Sequence, residues 1–275
     1  MRNSKKKLIL IILSSYLVFL MLCLFAYPSI NKIICKTRYF KEFDEAITED
    51  VLKSNIVICV HEQTTDEDGS VYNTWTAGSS GVIIDYKDDT YFALTAYHVV
   101  NNTVNSKEFI ILPYNSPTYT EFRENSSQHV SLQSYYDQFE KAKVVCAEEK
   151  YDLALISFKS SKQLHSLRVS KYNPTYKEKV VSISNPEGKR FVKTYGKIKS
   201  KKYYTFKSND DLLPIQTLKH NAYISYGSSG SALLNQQMEI IGINVGAKIN
   251  IFNGFWSAVI VPSEIIQIFL TENYY

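Results

Sequence analysis

The chain has 275 residues, of which 45% are hydrophobic, 13% aromatic and 21% charged, which excludes a disordered, fibrous or low-complexity protein and supplies apolar surface for a sizeable core. A net charge of +4 is too small to argue for a nucleic-acid partner, and none is expected. The four cysteines, Cys23, Cys35, Cys59 and Cys146, show no CxxC spacing, so neither a zinc knuckle nor a disulfide scaffold is indicated.

In chain order, a basic tail at residues 1–7 leads into a run without charge from Leu8 to Tyr27 that stays apolar to Ile30. About 20 such residues cross about 30 Å of hydrocarbon. The run is apolar on all sides, unlike the striped pattern of a core helix. A cleaved signal peptide is the rival, but its apolar region is shorter and ends in an A-x-A-like site, whereas Leu24-Phe25-Ala26 offers one small residue of the two. An uncleaved single-pass anchor over 8–30 is therefore expected, followed by a linker over 31–54 whose part from Asp44 to Ser54 reads as a short helix-like or linker stretch. Arg2, Lys5, Lys6 and Lys7 before the span are matched by Lys32, Lys36, Arg38 and Lys41 after it. A short basic tail ahead of a large domain places that domain on the extracytoplasmic face.

Beyond the linker, short runs rich in β-branched and aromatic residues alternate with turn residues, at 55–60, 81–85, 91–96, 108–112, 141–146, 153–158, 179–183, 196–199, 239–244 and 255–261. That spacing predicts an all-β sandwich or barrel. Residues 115–139 are polar and aromatic and read as a surface insertion. A final amphipathic helix is expected over 264–270, with Ser263 as its N-cap. No repeat is visible, and 55–275 reads as one domain.

Three motifs carry chemistry. Ala93-Leu94-Thr95-Ala96-Tyr97-His98-Val99-Val100 is an apolar strand that ends at a histidine. Tyr151-Asp152-Leu153-Ala154-Leu155-Ile156 is a strand opened by one acid, and Tyr226-Gly227-Ser228-Ser229-Gly230-Ser231-Ala232-Leu233 sets a serine between glycines. Each alone has a bland explanation: a partly buried histidine, a turn aspartate, a tight loop. Together they supply what acyl transfer needs, because a serine hydroxyl is a poor nucleophile until a base removes its proton and an acid orients that base. Their order, His98, Asp152, Ser229, differs from the orders of the subtilisin and α/β-hydrolase triads.

The sequence resembles the trypsin-like peptidases, most closely the bacterial HtrA/Deg and V8-like branches. TAYHVV is similar to the family's TAxHV, YDLALI to DLALL, and GSSGSALLN to GNSGGxLxN, and the resemblance covers roughly residues 50–270. It implies two six-stranded antiparallel β-barrels with a short C-terminal helix, here preceded by the transmembrane helix. It further implies Ser229 as nucleophile, His98 as base and Asp152 as its orienting acid, with backbone N–H groups of Gly227, Ser229 and Ser228 as the oxyanion hole. Neither cofactor nor metal is implied. Ser228 stands where digestive relatives carry the Asp that receives a freed N-terminus, and Asn55-Ile56-Val57 is unlike their cleaved terminus, so zymogen activation of that kind is not expected. The pocket floor would be formed by Tyr223, Ile224 and Ser225, with the bulk of Tyr223 making it shallow, and its wall by Ile243, Asn244 and Val245. Asn244 replaces the histidine of glutamyl-specific relatives, which points to small or medium apolar side chains instead.

The expected protein is a membrane-anchored serine endopeptidase acting on polypeptides, with the HtrA resemblance suggesting protein quality control. No PDZ-like sequence follows the peptidase segment, and nothing in the sequence supports an oligomer. The alternatives are a catalytically inactive, membrane-tethered module that binds peptide without cutting it, and a serine esterase. The basic stretch 189–202 reads as a solvated hairpin, His61, His129, His165 and His220 lack metal-ligand spacing, and Cys59 and Cys146, both in first-barrel strands, could form a disulfide if the domain is exported.

Overall fold

A computed structural model describes residues 13–23, 40–76, 78–101, 106–126, 130–207, 213–249 and 254–275. The anchor expected over 8–30 falls mostly outside them. Its described part is helix α1, residues 13–23, and Leu13, Tyr16, Leu17 and Phe19 there are each at least 60% exposed. Among the described residues no helix is long and apolar enough to cross a membrane.

The first barrel is made of β1 (Asn55–Thr65), β2 (Val71–Trp75), β3 (Ser79–Lys87), β4 (Thr90–Thr95), β5 (Ser106–Leu112), β6 (Lys141–Glu148) and β7 (Leu153–Phe158). They order as β2-β1-β3-β4-β7-β6-β5, and β5 pairs back onto β1, so six strands close and β2 extends β1 as a hairpin. The second barrel comprises β8 (Lys179–Ser184), β9 (Val192–Lys197), β10 (Tyr204–Phe206), β11 (Ile215–His220), β12 (Ala232–Leu234), β13 (Ile240–Ile249) and β14 (Phe255–Pro262). Its order is β10-β11-β14-β13-β12-β8-β9, closed by an Ile198–His220 bridge, with β10 as the appended strand. All named strand pairs are antiparallel. The expected two-barrel architecture is therefore present, with one extra short strand on each barrel. Ile56, Ile58, Ile83, Ala93 and Ile156 fill the first barrel, and Val180, Leu218, Leu233, Ile241 and Ile260 the second. Removing such side chains from water is the main stabilising term.

Of the two readings of 44–54, the structure has the helical one and carries it back to residue 41. From Phe40 onward the chain forms α2 (Lys41–Ala46) and α3 (Glu49–Lys53), and Phe40, Phe43, Ile47 and Val51 are buried in the core shared by both barrels. Phe43 on α2, Val51 on α3 and the flanking residues Phe40 and Ile47 together present apolar side chains to that one core. Phe40 stacks on Tyr195 of β9 at 5.7 Å, the Tyr195 hydroxyl bonds Asp44, and Lys179 pairs with Glu42 at 3.2 Å. The body thus begins at residue 40 instead of 55.

A short helix α4 (Tyr97–Val100) follows β4. The insertion contains α5 (Tyr119–Glu124) and α6 (Leu132–Tyr136), each opened by a capping box, and Tyr135 is buried against Tyr119, Phe122, Tyr136 and Phe139. The final helix α7 runs over Ser263–Asn273, longer than expected. Ser263 is its first helical residue and not its N-cap, because its hydroxyl donates to the Tyr172 carbonyl at 2.8 Å. Cys59 and Cys146 are free thiols.

Candidate active site

His98 sits on α4, immediately after β4 has delivered the chain to the barrel rim. Asp152 lies between a 3-10 turn, Glu149–Tyr151, and β7, with φ +50° in the left-handed region that Asp tolerates better than most residues. It is buried, and its carboxylate accepts both the His98 backbone N–H at 3.0 Å and the ring Nδ1 at 2.9 Å. A carboxylate only accepts, so Nδ1 carries the ring proton and Nε2 is left with its lone pair. The pair is a base whose tautomer is fixed by its acid.

Ser229 comes from the second barrel, in the turn that opens β12. Two contacts bring that turn to the first barrel, and a third, between Thr95 and Ser80, ties together the two strands that receive it. Ser80 of β3 donates its N–H to the Ser229 carbonyl at 2.9 Å, Thr95 of β4 donates its hydroxyl to the Ser80 carbonyl at 2.9 Å, and Gly230 lies so close to Thr95 that a Cβ there would fall 2.2 Å from its Oγ1. The serine loop thus rests on the strand end that carries His98 three residues further on. The Ser229 hydroxyl makes no hydrogen bond among the described residues.

The backbone of the turn is set peptide by peptide. Gly227 has φ +91°, and a Cβ would lie 2.4 Å from the Asn185 carbonyl, so only glycine fits. Its carbonyl accepts the Ser80 hydroxyl at 2.8 Å. A trans peptide points C=O and N–H in opposite directions. The Ser228 N–H accordingly turns away and donates to the Ser225 carbonyl at 2.9 Å. This corrects the expectation that Ser228 contributes to the oxyanion hole: its donor is spent. The Ser228 carbonyl is held by the Ser231 hydroxyl at 2.6 Å and the Ser231 N–H at 3.1 Å, which leaves the Ser229 N–H facing the other way. Neither Gly227 N–H nor Ser229 N–H has an acceptor among the described residues. Two unspent backbone donors beside a serine can bind an oxyanion. The Ser228 hydroxyl meets Ser184 at 3.1 Å and accepts from the Ser225 N–H at 3.2 Å, so this turn is fixed by hydroxyls within the fold.

Of the expected pocket residues, Ile224, Ile243 and Val245 are buried and their side chains do not line an open cleft; only their backbone can meet a substrate. Asn244 is fully buried, and its Nδ2 donates to Ser231 Oγ at 3.0 Å and Ser182 Oγ at 3.1 Å. Its Oδ1 faces His220 Nε2 at 2.8 Å. Burial pulls the His220 imidazole down to about 4, so it is neutral, and its Nδ1 has no partner among the described residues. Ser225 is half-buried, and the Tyr223 ring packs edge-on against Phe255 at 5.2 Å. Sequence reasoning missed Ser80, Thr95, Asn185 and His220. Nothing marks a serine in a strand as a clamp for a loop almost 150 positions away; His220 carried one signal, a histidine in an otherwise strand-like run. Among the described residues there is no cluster of metal-ligating side chains.

Residues 78–243 match a family model described as a trypsin-like peptidase domain. Among solved structures, the chain is similar to the crystal structure of the Rv3671c protease from M. tuberculosis, active form, at 14% identity and a TM-score of 0.58 over 85% of this chain and 87% of that one. At that identity the likeness carries the fold alone. No curated protein sequence matches the chain.

Proposed function

Since the chain belongs to the trypsin-like peptidase domain family, we propose that it is a serine endopeptidase that cleaves polypeptides through His98, Asp152 and Ser229. The observations that carry this reading are the imidazole bound by Asp152, just beyond the strand end on which Gly230 packs, and the Gly227 and Ser229 N–H groups, which have no acceptor among the described residues. Ser229 Oγ attacks the scissile carbonyl while His98 Nε2 takes its proton and then returns it to the leaving amine. Asp152 stabilises the imidazolium formed in between, and the N–H groups of Gly227 and Ser229 stabilise the oxyanion. No cofactor enters this sequence of steps.

We further propose that residues 8–30 anchor the enzyme in a membrane, with the peptidase domain on the extracytoplasmic face. The uncharged run and the exposed apolar side chains of α1 support this, since such a surface is costly to leave in water. A role in protein quality control fits an endopeptidase of this placement. The rival, a module that binds peptide without cutting it, draws on the bulk of Tyr223, whose ring packs edge-on against Phe255. Incubating detergent-solubilised full-length protein with denatured casein separates the two. Fragmentation by wild type and none by Ser229→Ala is expected; no fragmentation by either, with binding retained, would favour the rival. Resistance to alkaline carbonate extraction tests the anchor, and release into the supernatant would refute it.

A further inference from the structure

Fixing the Ser229 N–H does not by itself make an oxyanion hole, because the Gly227 N–H must face the same way. Its direction is set by the Tyr226–Gly227 peptide, whose carbonyl accepts the Glu187 N–H at 2.7 Å. Since the peptide is trans, holding that carbonyl on one side aims the Gly227 N–H to the other. Glu187 belongs to a tight turn between β8 and β9. Within six residues that turn holds Glu187 at φ +55°, Gly188 at φ +74° and Phe191 at φ +54°. Left-handed non-glycine residues are strained and persist where their surroundings over-determine them.

The surroundings are named side chains. Phe191 N–H donates to Asn185 Oδ1 at 2.9 Å, and Asn185 Nδ2 donates to the Ile56 carbonyl at 3.0 Å, which ties the turn to the first barrel. Phe191 also meets Tyr114 edge-on at 5.2 Å. Between them, Arg190 reaches out of the second barrel into the insertion. Its Nη1 donates to the carbonyls of Ser116 at 2.8 Å and Pro117 at 3.0 Å, and its Nη2 to the Tyr135 hydroxyl at 2.7 Å. That hydroxyl in turn donates to the Pro117 carbonyl at 2.7 Å, and the Tyr135 ring is buried among the aromatic side chains around α5 and α6. The planar guanidinium fork is well suited to such a fixed set of acceptors.

We propose that Arg190 is a positioning residue for the oxyanion donor Gly227 N–H, and that the insertion carrying α5 and α6 is the brace against which it works. The chain of contacts runs from Tyr135 and the Ser116 and Pro117 carbonyls through Arg190 to the 186–191 turn, then from Glu187 N–H to the Tyr226 carbonyl. This rests on the serine-peptidase reading above, and it gives the insertion a catalytic task.

The test uses full-length protein in detergent and a fluorophosphonate probe, with kinact and KI measured separately. Arg190→Ala is expected to lower kinact roughly tenfold or more with KI unchanged, because a misaligned donor fails only when charge develops. Arg190→Lys keeps a shorter cation and restores part of the rate. Tyr135→Phe removes one hydroxyl, leaves the ring packed, and lowers kinact roughly twofold to threefold; it carries the test should Arg190→Ala not fold. Unchanged kinact in a folded Arg190→Ala protein overturns the proposal. An unlabelled wild type would instead sink the peptidase reading, and a crystal structure of Arg190→Ala then decides separately. A turned Tyr226–Gly227 peptide supports the brace, and an intact Glu187–Tyr226 bond refutes it.

Discussion

On the first barrel the proposed catalytic pair is held side chain to side chain: Asp152 grips the His98 ring and its backbone N–H at the ends of two paired strands. On the second barrel the nucleophile loop is held almost entirely through its main chain. Ser80 holds the Gly227 and Ser229 carbonyls, Ser231 the Ser228 carbonyl and Glu187 the Tyr226 carbonyl. An imidazole and a carboxylate can be oriented by each other, whereas backbone donors can be aimed only by pinning the carbonyls on the opposite side of their peptides. The acid–base half is therefore compact, and the oxyanion half depends on residues drawn from both barrels and the insertion.

Substitutions in the two halves should differ in size and in kind. Asp152→Asn attacks the first directly: the amide can donate to Nδ1 and stabilise the wrong tautomer, and a loss of roughly 10⁴ in kcat is expected from the worked serine-protease case. Steady-state kinetics on a peptide substrate would check it, and a loss below tenfold would mean Asp152 does not orient the base. Gly227→Ala attacks the second half. Its Cβ has no room against the Asn185 carbonyl, so the donor must move, with roughly 10²–10³ lost in kcat and KM little changed. Ser80→Ala leaves the Asn185 N–H and Nδ2 short of one buried acceptor and frees the Gly227 carbonyl. About 1–3 kcal/mol of stability should go, together with roughly tenfold in kcat. Urea unfolding beside kinetics would show whether the two losses travel together.

The smallest effect expected on activity lies beneath the nucleophile loop, in the His220–Asn244 pair. His220 is depressed from an ordinary 6.5 to about 4 by burial. Between these values the unfolded chain binds a proton that the folded chain does not, so stability rises with pH across the window and is lost as pH falls through it. The loss should reach about 3 kcal/mol by pH 4. His220→Gln keeps a donor for Asn244 and should flatten that slope in urea unfolding between pH 7 and pH 4.5; an unaltered slope would assign the pH dependence to other groups.

The same division decides what could be read from the amino-acid sequence. His98, Asp152 and Ser229 are chemically rare in their contexts, and apolar alternation marks most of the barrel strands. The strands β2, β10 and β12 are illegible because three to five residues carry too little periodicity, β11 over Ile215–His220 is missed because Gln216, Lys219 and His220 interrupt its apolar residues, and β9 lies at Val192–Lys197, earlier than the run expected over 196–199. The helices α2 and α3 were readable in the spacing of Phe40, Phe43, Ile47 and Val51, but the charged residues between them resemble a linker. The spent Ser228 donor, the Ser80 clamp and the Arg190 brace depend on which carbonyl each N–H or side chain meets. That is fixed by tertiary packing, and no local pattern encodes it.

The central claim, that these two halves meet at an activated serine, is tested most directly by fluorophosphonate labelling of full-length protein followed by mass spectrometry of the adduct. A single adduct on Ser229, present in wild type and absent in His98→Ala, is the predicted result, because the reagent needs a serine assisted by its base. An adduct on another residue, or equal labelling of Ser229 without His98, would contradict it.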